Sequence, residues 1–397
     1  MYCTRNVSDS VVWVGASDRR LALFENLFPI PRGVSYNSYL ILDEKTALLD
    51  TTDASVTRQY LENVSHSLNG KPLDYLIINH MEPDHCANIA ELLLRYPHLT
   101  LVGNAKTFAF VSQFYDLDLT GRTLTVKEGD TLCLGSHTLH FFLAPMVHWP
   151  EVMVTYEETE QILFSADAFG SFGALNGHLF ADEVNFDRDW LDDARRYYCN
   201  IVGKYGVQVQ GLLKKAAALD IQTVCPLHGP QLSGDALTRA LALYSLWAAW
   251  KPEESGVLVA YAGFHGHTAE AAKLLAEKLH ALGETVEVID LNRVHKSYAV
   301  ASAFKFDRMA LCAATYDGAY APAMEAFLSA LKLKGLQGRT VALVENGTWA
   351  PMAAKQMRAA LETMKNMQAL DQQVTIRSAM NAKNREEIEE LAKKLVM

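Results

Sequence analysis

The hydrophobic pattern divides the chain into two stretches with different grammars. Through residues 11–179, short β-rich apolar runs alternate with turns, at 38–42, 46–50, 99–102, 137–143 and 161–165, with helical spacing at 55–68 and 87–95. Short strands bounded by turn residues and interleaved with helices predict a layered α/β/β/α or α+β domain rather than a simple parallel wind. Helical spacing dominates from 190 to 250, broken by a strand at 223–226. The polar hexamer Lys251-Pro-Glu-Glu-Ser-Gly256 then predicts a linker. Beyond it, apolar strands at 257–262, 285–290, 309–314, 340–345 and 373–376 alternate with helices at 268–282, 322–333, 352–364 and the C-terminal stretch. That alternation describes a doubly wound parallel sheet. The expected domains are 1–250 and 256–397.

Composition narrows the function. The formal charge of −10 and the absence of a basic cluster argue against nucleic acid, whose binding needs a Lys/Arg-rich face. No run approaches the roughly 18–20 apolar residues of a membrane span, and the N-terminus lacks a signal peptide's apolar core. A cytoplasmic location is expected. The six cysteines stand singly, without a C-x-x-C pair. They read as reduced thiols and exclude an appended rubredoxin-like or iron–sulfur module. Cys86 and Cys225 lie near metal-ligand candidates, but their neighbours are better ligands.

The chemistry concentrates in His80-Met-Glu82-Pro-Asp84-His85, which follows the apolar run at 75–78. An irregular loop there is expected to point His80, Glu82 and Asp84 to one side while His85 turns with the chain. Four strong ligands in six residues suit two metal ions better than one. Three more strand ends offer a ligand beside Gly or Pro: His148 after 140–143, Asp167 after 161–164, and His228 after 222–225. Such positions aim side chains into a shared pocket.

The pattern His80-x-Glu82-x-Asp84-His85, then His148, Asp167 and His228, resembles the flavodiiron proteins. The likeness extends to Gly33-Val-Ser-Tyr-Asn-Ser-Tyr, His148-Trp-Pro and Leu163-Phe-Ser-Ala-Asp-Ala-Phe, and spans nearly the whole chain. It implies an N-terminal metallo-β-lactamase-like αββα sandwich and a C-terminal flavodoxin-like domain of the two-domain class. It also implies one iron on His80, Glu82 and His148, a second on Asp84, His85 and His228, and Asp167 bridging them. Zinc hydrolases of this fold usually carry a second histidine at the position of Glu82. A carboxylate there adds a hard oxygen donor and leans toward iron.

The resemblance also implies FMN. The loop Gly263-Phe264-His265-Gly266-His267-Thr268 stands where a flavodoxin-like domain holds phosphate on backbone N–H groups and a helix N-terminus. The family commonly has Ser or Thr in place of Gly263 and Asn in place of His267. Thr315-Tyr316-Asp317-Gly318 and Asn346-Gly347-Thr348-Trp349 follow the third and fourth strands, where the ligand crevice is expected, with Tyr316 and Trp349 able to pack on the isoalloxazine. Tyr197 and Tyr198 match a family tyrosine pair, one member of which approaches the substrate pocket. The implied function is reduction of dioxygen to water, nitric oxide to nitrous oxide, or both. Electrons would come through FMN from rubredoxin or a similar small carrier, within a head-to-tail homodimer or a dimer of such dimers. The rival readings are a dizinc hydrolase of the same fold and an electron-transfer protein with a vestigial metal domain.

Overall fold

A computed structural model describes residues 2–397. It separates into two compact units, residues 1–198 with 207–245, and residues 199–206 with 246–397.

The first unit is built on two sheets. One has seven strands in the order Arg5–Asn6, Val11–Trp13, Tyr39–Ile41, Ala47–Leu49, Tyr75–Ile77, Thr100–Gly103, Thr123–Thr125. The other has six, in chain order from Thr131–Cys133 through Thr138–Leu143, Met153–Glu157, Ile162–Phe164 and Thr223–Cys225 to Leu232–Ser233. Because successive side chains of a strand point to opposite faces, neighbouring residues serve different cores. Leu40, Leu48 and Leu76 pack with Tyr60, Val64, Leu92 and Val111 from the covering helices Thr57–Leu68, Ile89–Arg95 and Ala105–Phe114. Ile41, Leu49 and Ile77 pack inward with Leu139, Phe141, Met153 and Phe164 of the second sheet. This is the αββα sandwich. A polar network also ties the sheets together. His137 lies 2.8 Å from Asp43 through Nδ1 and 2.8 Å from Ser10 through Nε2, and the Ser10 hydroxyl donates to Glu160 at 2.6 Å.

The second unit is a five-stranded parallel sheet in the order Val286–Asp290, Glu254–Ala262, Phe306–Tyr316, Thr340–Asn346, Gln368–Ile376. This is the flavodoxin-like order, and its ligand crevice lies outside the carboxyl ends of the strands, at the switch point beside the first. Two local expectations change. The hexamer read as a linker contributes to the sheet: Glu254 pairs with Phe306, Glu253 N–H donates to the Lys305 carbonyl at 2.8 Å, and Lys305 bridges to Glu254 at 2.9 Å. Thr315 and Tyr316 extend a strand rather than forming a loop, and pair with Ala319–Tyr320 around a two-residue turn. Asp317 and Gly318 both have positive φ there, 48° and 77°, as such a turn requires.

Candidate metal centre and flavin pocket

The strand Tyr75–Ile77 ends against Asp50, which follows the parallel neighbour Ala47–Leu49. The buried Asp50 carboxylate accepts the backbone N–H of Asn79 at 2.8 Å and of His80 at 3.0 Å, and the Asn79 side chain at 2.8 Å. Burial pushes this carboxyl up to about 6, although these donors and the nearby His85 oppose the shift. The backbone is thus fixed where the ligand motif begins. The stretch expected to be an irregular loop then forms a helical turn, Pro83–Cys86, with Glu82 as its N-cap residue. Pro83 favours this start, since its missing N–H would be unpaired at the first helical position anyway. The turn carries Asp84 and His85, while Glu82 stays extended before it.

All seven candidate ligands converge. His80, Glu82, His148 and Asp167 form one cluster, and Asp84, His85 and His228 a second, with ligand atoms inside each lying within 4.8 Å of one another. Glu82 Oε2 is 3.3 Å from His80 Nε2 and 2.9 Å from His148 Nε2. Asp84 Oδ2 is 3.4 Å from His85 Nε2 and 3.3 Å from His228 Nε2. Asp167 faces both clusters: Oδ2 is 3.1 Å from His148 Nε2, and Oδ1 is 3.2 Å from His85 Nε2. The outer nitrogens are anchored, His80 Nδ1 on Glu151 Oε1 at 2.7 Å and His228 Nδ1 on the Ser35 carbonyl at 2.7 Å.

The electrostatics call for positive charge. Burial disfavours the imidazolium of His148, yet Asp167 and Glu82 outweigh it and push the group up to about 9. Burial likewise opposes ionisation of Asp167, but His85, His148 and His80 hold it well below the usual carboxylate range.

In the second unit, every candidate flavin residue except Gly263 and Gly266 lines one cavity of about 750 Å³ at the carboxyl ends of the strands. Some of them also brace it. Thr315 Oγ1 accepts the N–H of Met352 at 3.0 Å and of Ala353 at 3.2 Å, and Asn346 exchanges hydrogen bonds with the Ser378 backbone. Phe264 and Tyr316 meet with ring centroids 5.4 Å apart, while Trp349 is 87% exposed, a broad apolar face at the cavity rim. Gly263 has a steric reason: a Cβ there would lie 2.8 Å from Thr268 Cβ. Thr268 occupies the space that a side chain at 263 would need.

Residues 34–229 match the family described as ODP family beta lactamase, and 258–393 match the family described as flavodoxin domain. An uncharacterized protein of Methanocaldococcus jannaschii is 31% identical over 71% of this chain and 70% of its own length. The anaerobic nitric oxide reductase flavorubredoxin of Aliivibrio salmonicida is 29% identical over 85% of this chain and 67% of its own. Among solved structures, the rubredoxin oxygen:oxidoreductase of Desulfovibrio gigas superposes with a TM-score of 0.92 at 26% identity, covering 99% of this chain and 98% of that one. The chain belongs to the flavodiiron proteins.

The chain therefore has an oxidoreductase's cofactor set, two irons and FMN, and the structure fits both. Both oxygens of Asp84 and Oδ1 of Asp167 are buried without a hydrogen-bond donor. The Nε2 atoms of His85 and His228 lie 3.0 Å apart. Cations between these groups would satisfy all of them. Of the tyrosine pair, Tyr197 is at the flavodiiron centre. Its ring lies 5.5 Å from that of His228, and its buried hydroxyl has no hydrogen-bond partner. Tyr198 instead packs on Tyr244 at 5.0 Å.

Three residues around the centre escaped the sequence reading. Asp50 and Glu151 carry no motif, and their partners become visible only in three dimensions. Glu25 stands at the turn between the strands Leu23–Phe24 and Phe28–Pro29. Much of this residue is exposed, but its carboxyl is shielded by the site and pushed up to about 8, first by lost hydration and then by the charge of Glu82.

Proposed function

We propose that this flavodiiron protein reduces dioxygen to water, nitric oxide to nitrous oxide, or both. One iron is held by His80, Glu82 and His148, the other by Asp84, His85 and His228, with Asp167 between them. The observation that carries this reading is the double reach of Asp167, whose two oxygens face separate clusters at 3.1 and 3.2 Å. Glu82 in the first cluster supports iron, since a hard oxygen donor suits a metal that changes oxidation state.

When bound, the irons supply electrons directly to the gas and FMN relays them from a donor. Dioxygen takes four electrons and four protons to give two waters. Two nitric oxides take two electrons and two protons to give nitrous oxide and one water. The chain's own groups hold the geometry for this. Glu151 and the Ser35 carbonyl fix the outer nitrogens of His80 and His228, which would leave each Nε2 lone pair available to a metal. The unpartnered Tyr197 hydroxyl is available to hydrogen-bond a small ligand beside His228. Phe24 and Phe172, 5.5 Å apart, stand beside His228 and Tyr197 and form an apolar wall that keeps bulk water out.

In the second unit, the loop 263–268 faces the flavin phosphate through Phe264, His265, His267 and Thr268, and Thr315–Gly318 with Asn346–Trp349 face the ring system. Electrons come from rubredoxin or a similar small carrier, as the names of the Desulfovibrio gigas and Aliivibrio salmonicida relatives suggest. A cytoplasmic head-to-tail homodimer, or a dimer of such dimers, completes the proposal. Among the described residues, no helix is long and apolar enough to cross a membrane.

The test is His148→Asn, assayed anaerobically with each gas after reduction. Gas consumption should be lost while bound flavin is retained; consumption of both gases at the native rate would refute the ligand assignment. Metal analysis gives a second check. Zinc without iron in a protein that still reduces either gas is incompatible with the reading.

A further inference from the structure

The flavin cavity lacks a permanent cation. Its described lining residues include no Lys or Arg, and Asp317 adds a carboxylate. The side-chain donors of its phosphate loop are two imidazoles, His265 and His267, and the hydroxyl of Thr268. Thr268 is 4% exposed and makes no hydrogen bond through its side chain to any described residue, so its hydroxyl is left for a ligand. Gly266, at φ 95°, is the N-cap of the 15-residue helix His267–Ala281, whose first N–H groups open on the same loop. His267 Nδ1 lies 3.4 Å from Glu270 Oε2, which leaves Nε2 free to face a ligand.

We propose that His265 and His267 grip the flavin phosphate as imidazolium ions, making retention of FMN dependent on protons while the hold on the flavin ring is not. This rests on the reading of the cavity as the FMN site. The phosphate dianion needs countercharge, and backbone N–H groups with one hydroxyl supply only dipoles. The formal charges near the histidines are Glu270, on the helix that His267 begins, and Asp317 on the hairpin that lines the same cavity, both negative. Lys273, Glu277, Asp290 and Arg293 line a separate opening on the other side of the loop, where Arg293 lies 3.5 Å from Asp290. The imidazoles are therefore the cationic groups placed to meet the phosphate.

The sign follows from linkage. A phosphate dianion favours the protonated, cationic form of an imidazole beside it. Affinity is then highest where the imidazoles carry their protons and is lost as rising pH removes them. The second ionisation of a phosphate monoester falls near pH 6, so dianion and imidazolium coexist just below neutrality. In general, a proton-linked difference of one pKa unit corresponds to about tenfold in affinity. Riboflavin lacks the phosphate and should show no such dependence.

The experiment uses the full iron-loaded chain stripped of flavin, titrated with FMN and with riboflavin at pH 6.5 and 8.5 and constant ionic strength, following flavin fluorescence. The expected result is an FMN Kd that rises at least about tenfold between the two pH values, with a flat riboflavin Kd. In His265→Asn/His267→Asn, which keeps amide donors, FMN should bind more weakly and without the pH slope. A flat FMN Kd in the native chain overturns the proposal, as does a full slope in the double variant. Should the double variant fail to fold, the native comparison of FMN with riboflavin still decides. A folded native chain that binds neither flavin at either pH refutes the FMN reading, and the proposal with it. One that binds FMN equally at both pH values refutes the histidine grip alone.

Discussion

Replacing Glu151 by glutamine tests whether the metal centre depends on its outer support. Glu151 Oε1 accepts His80 Nδ1 at 2.7 Å and the backbone N–H of Met81 at 2.9 Å, and the side chains of His80 and Glu151 are both fully buried. Glutamine keeps the shape and one acceptor oxygen but loses the charge. A hydrogen bond to a charged acceptor contributes about 1 kcal/mol more than a neutral one, so two bonds lose about 2 kcal/mol, or roughly 30-fold in affinity. The loss should fall on the cluster containing His80, because Glu151 makes no contact with His85 or His228. Glu151 Oε2, now without a donor, would become an amide NH₂ without an acceptor, which adds to the cost. The assay is ferrous-ion titration of metal-free native and Glu151→Gln protein, with circular dichroism to show that both are folded. One of the two iron affinities should weaken by about that factor while the other stays within a few-fold. Two native affinities in a folded variant would show that His80 needs no charged partner.

Other consequences are checked as directly. Arg339 is buried with its guanidinium on the carbonyls of Trp250, Ala303, Phe304 and Gln337, so Arg339→Met should orphan several acceptors and lower stability by about 3 kcal/mol or more; a urea-unfolding change below about 1 kcal/mol contradicts this. Burial works against the charge of Asp43, but hydrogen bonds from His137, Glu44 and Ser136 hold its carboxyl below the usual range. Its folded pKa is thus depressed, and its contribution is present above the unfolded value near 3.9 and lost as pH falls toward the folded one. Native protein should therefore lose more stability than Asp43→Asn between pH 5.5 and 3, and equal losses in urea midpoint would exclude the mechanism. Gly263→Ser should overpack against Thr268 and lower the melting temperature of the flavin-loaded protein, by an amount corresponding to about 1–3 kcal/mol; an unchanged melting temperature would show that the loop has room.

How much the sequence revealed depends on how local each signal is. The seven candidate ligands stood out because each sits at the end of an apolar strand, and because His80, Glu82, Asp84 and His85 fall within six residues. Their supports were not. Asp50 reaches the Asn79 and His80 amides only because Ala47–Leu49 lies parallel to Tyr75–Ile77 in one register, and Glu151 is 71 residues from His80. The choice between Tyr197 and Tyr198 could not be read from helical spacing, because the helix Asp192–Tyr197 runs directly into a π-helical stretch, Tyr198–Val202. A five-residue hydrogen-bond step shifts the phase of every following side chain. The linker expectation failed for a related reason: Pro252 and Gly256 describe a polar composition, but the edge beside Phe306 supplies backbone partners that composition does not encode.

The candidate ligands come from both sheets of the first unit: His80, Glu82, Asp84 and His85 follow a strand of one, and His148, Asp167 and His228 follow strands of the other. His228 lies beyond the segment 199–206, which belongs to the second unit. Neither sheet alone brings either cluster together, and a chain cut at residue 198 lacks His228. During synthesis the second cluster thus stays incomplete until residue 228 has emerged and the two sheets have packed.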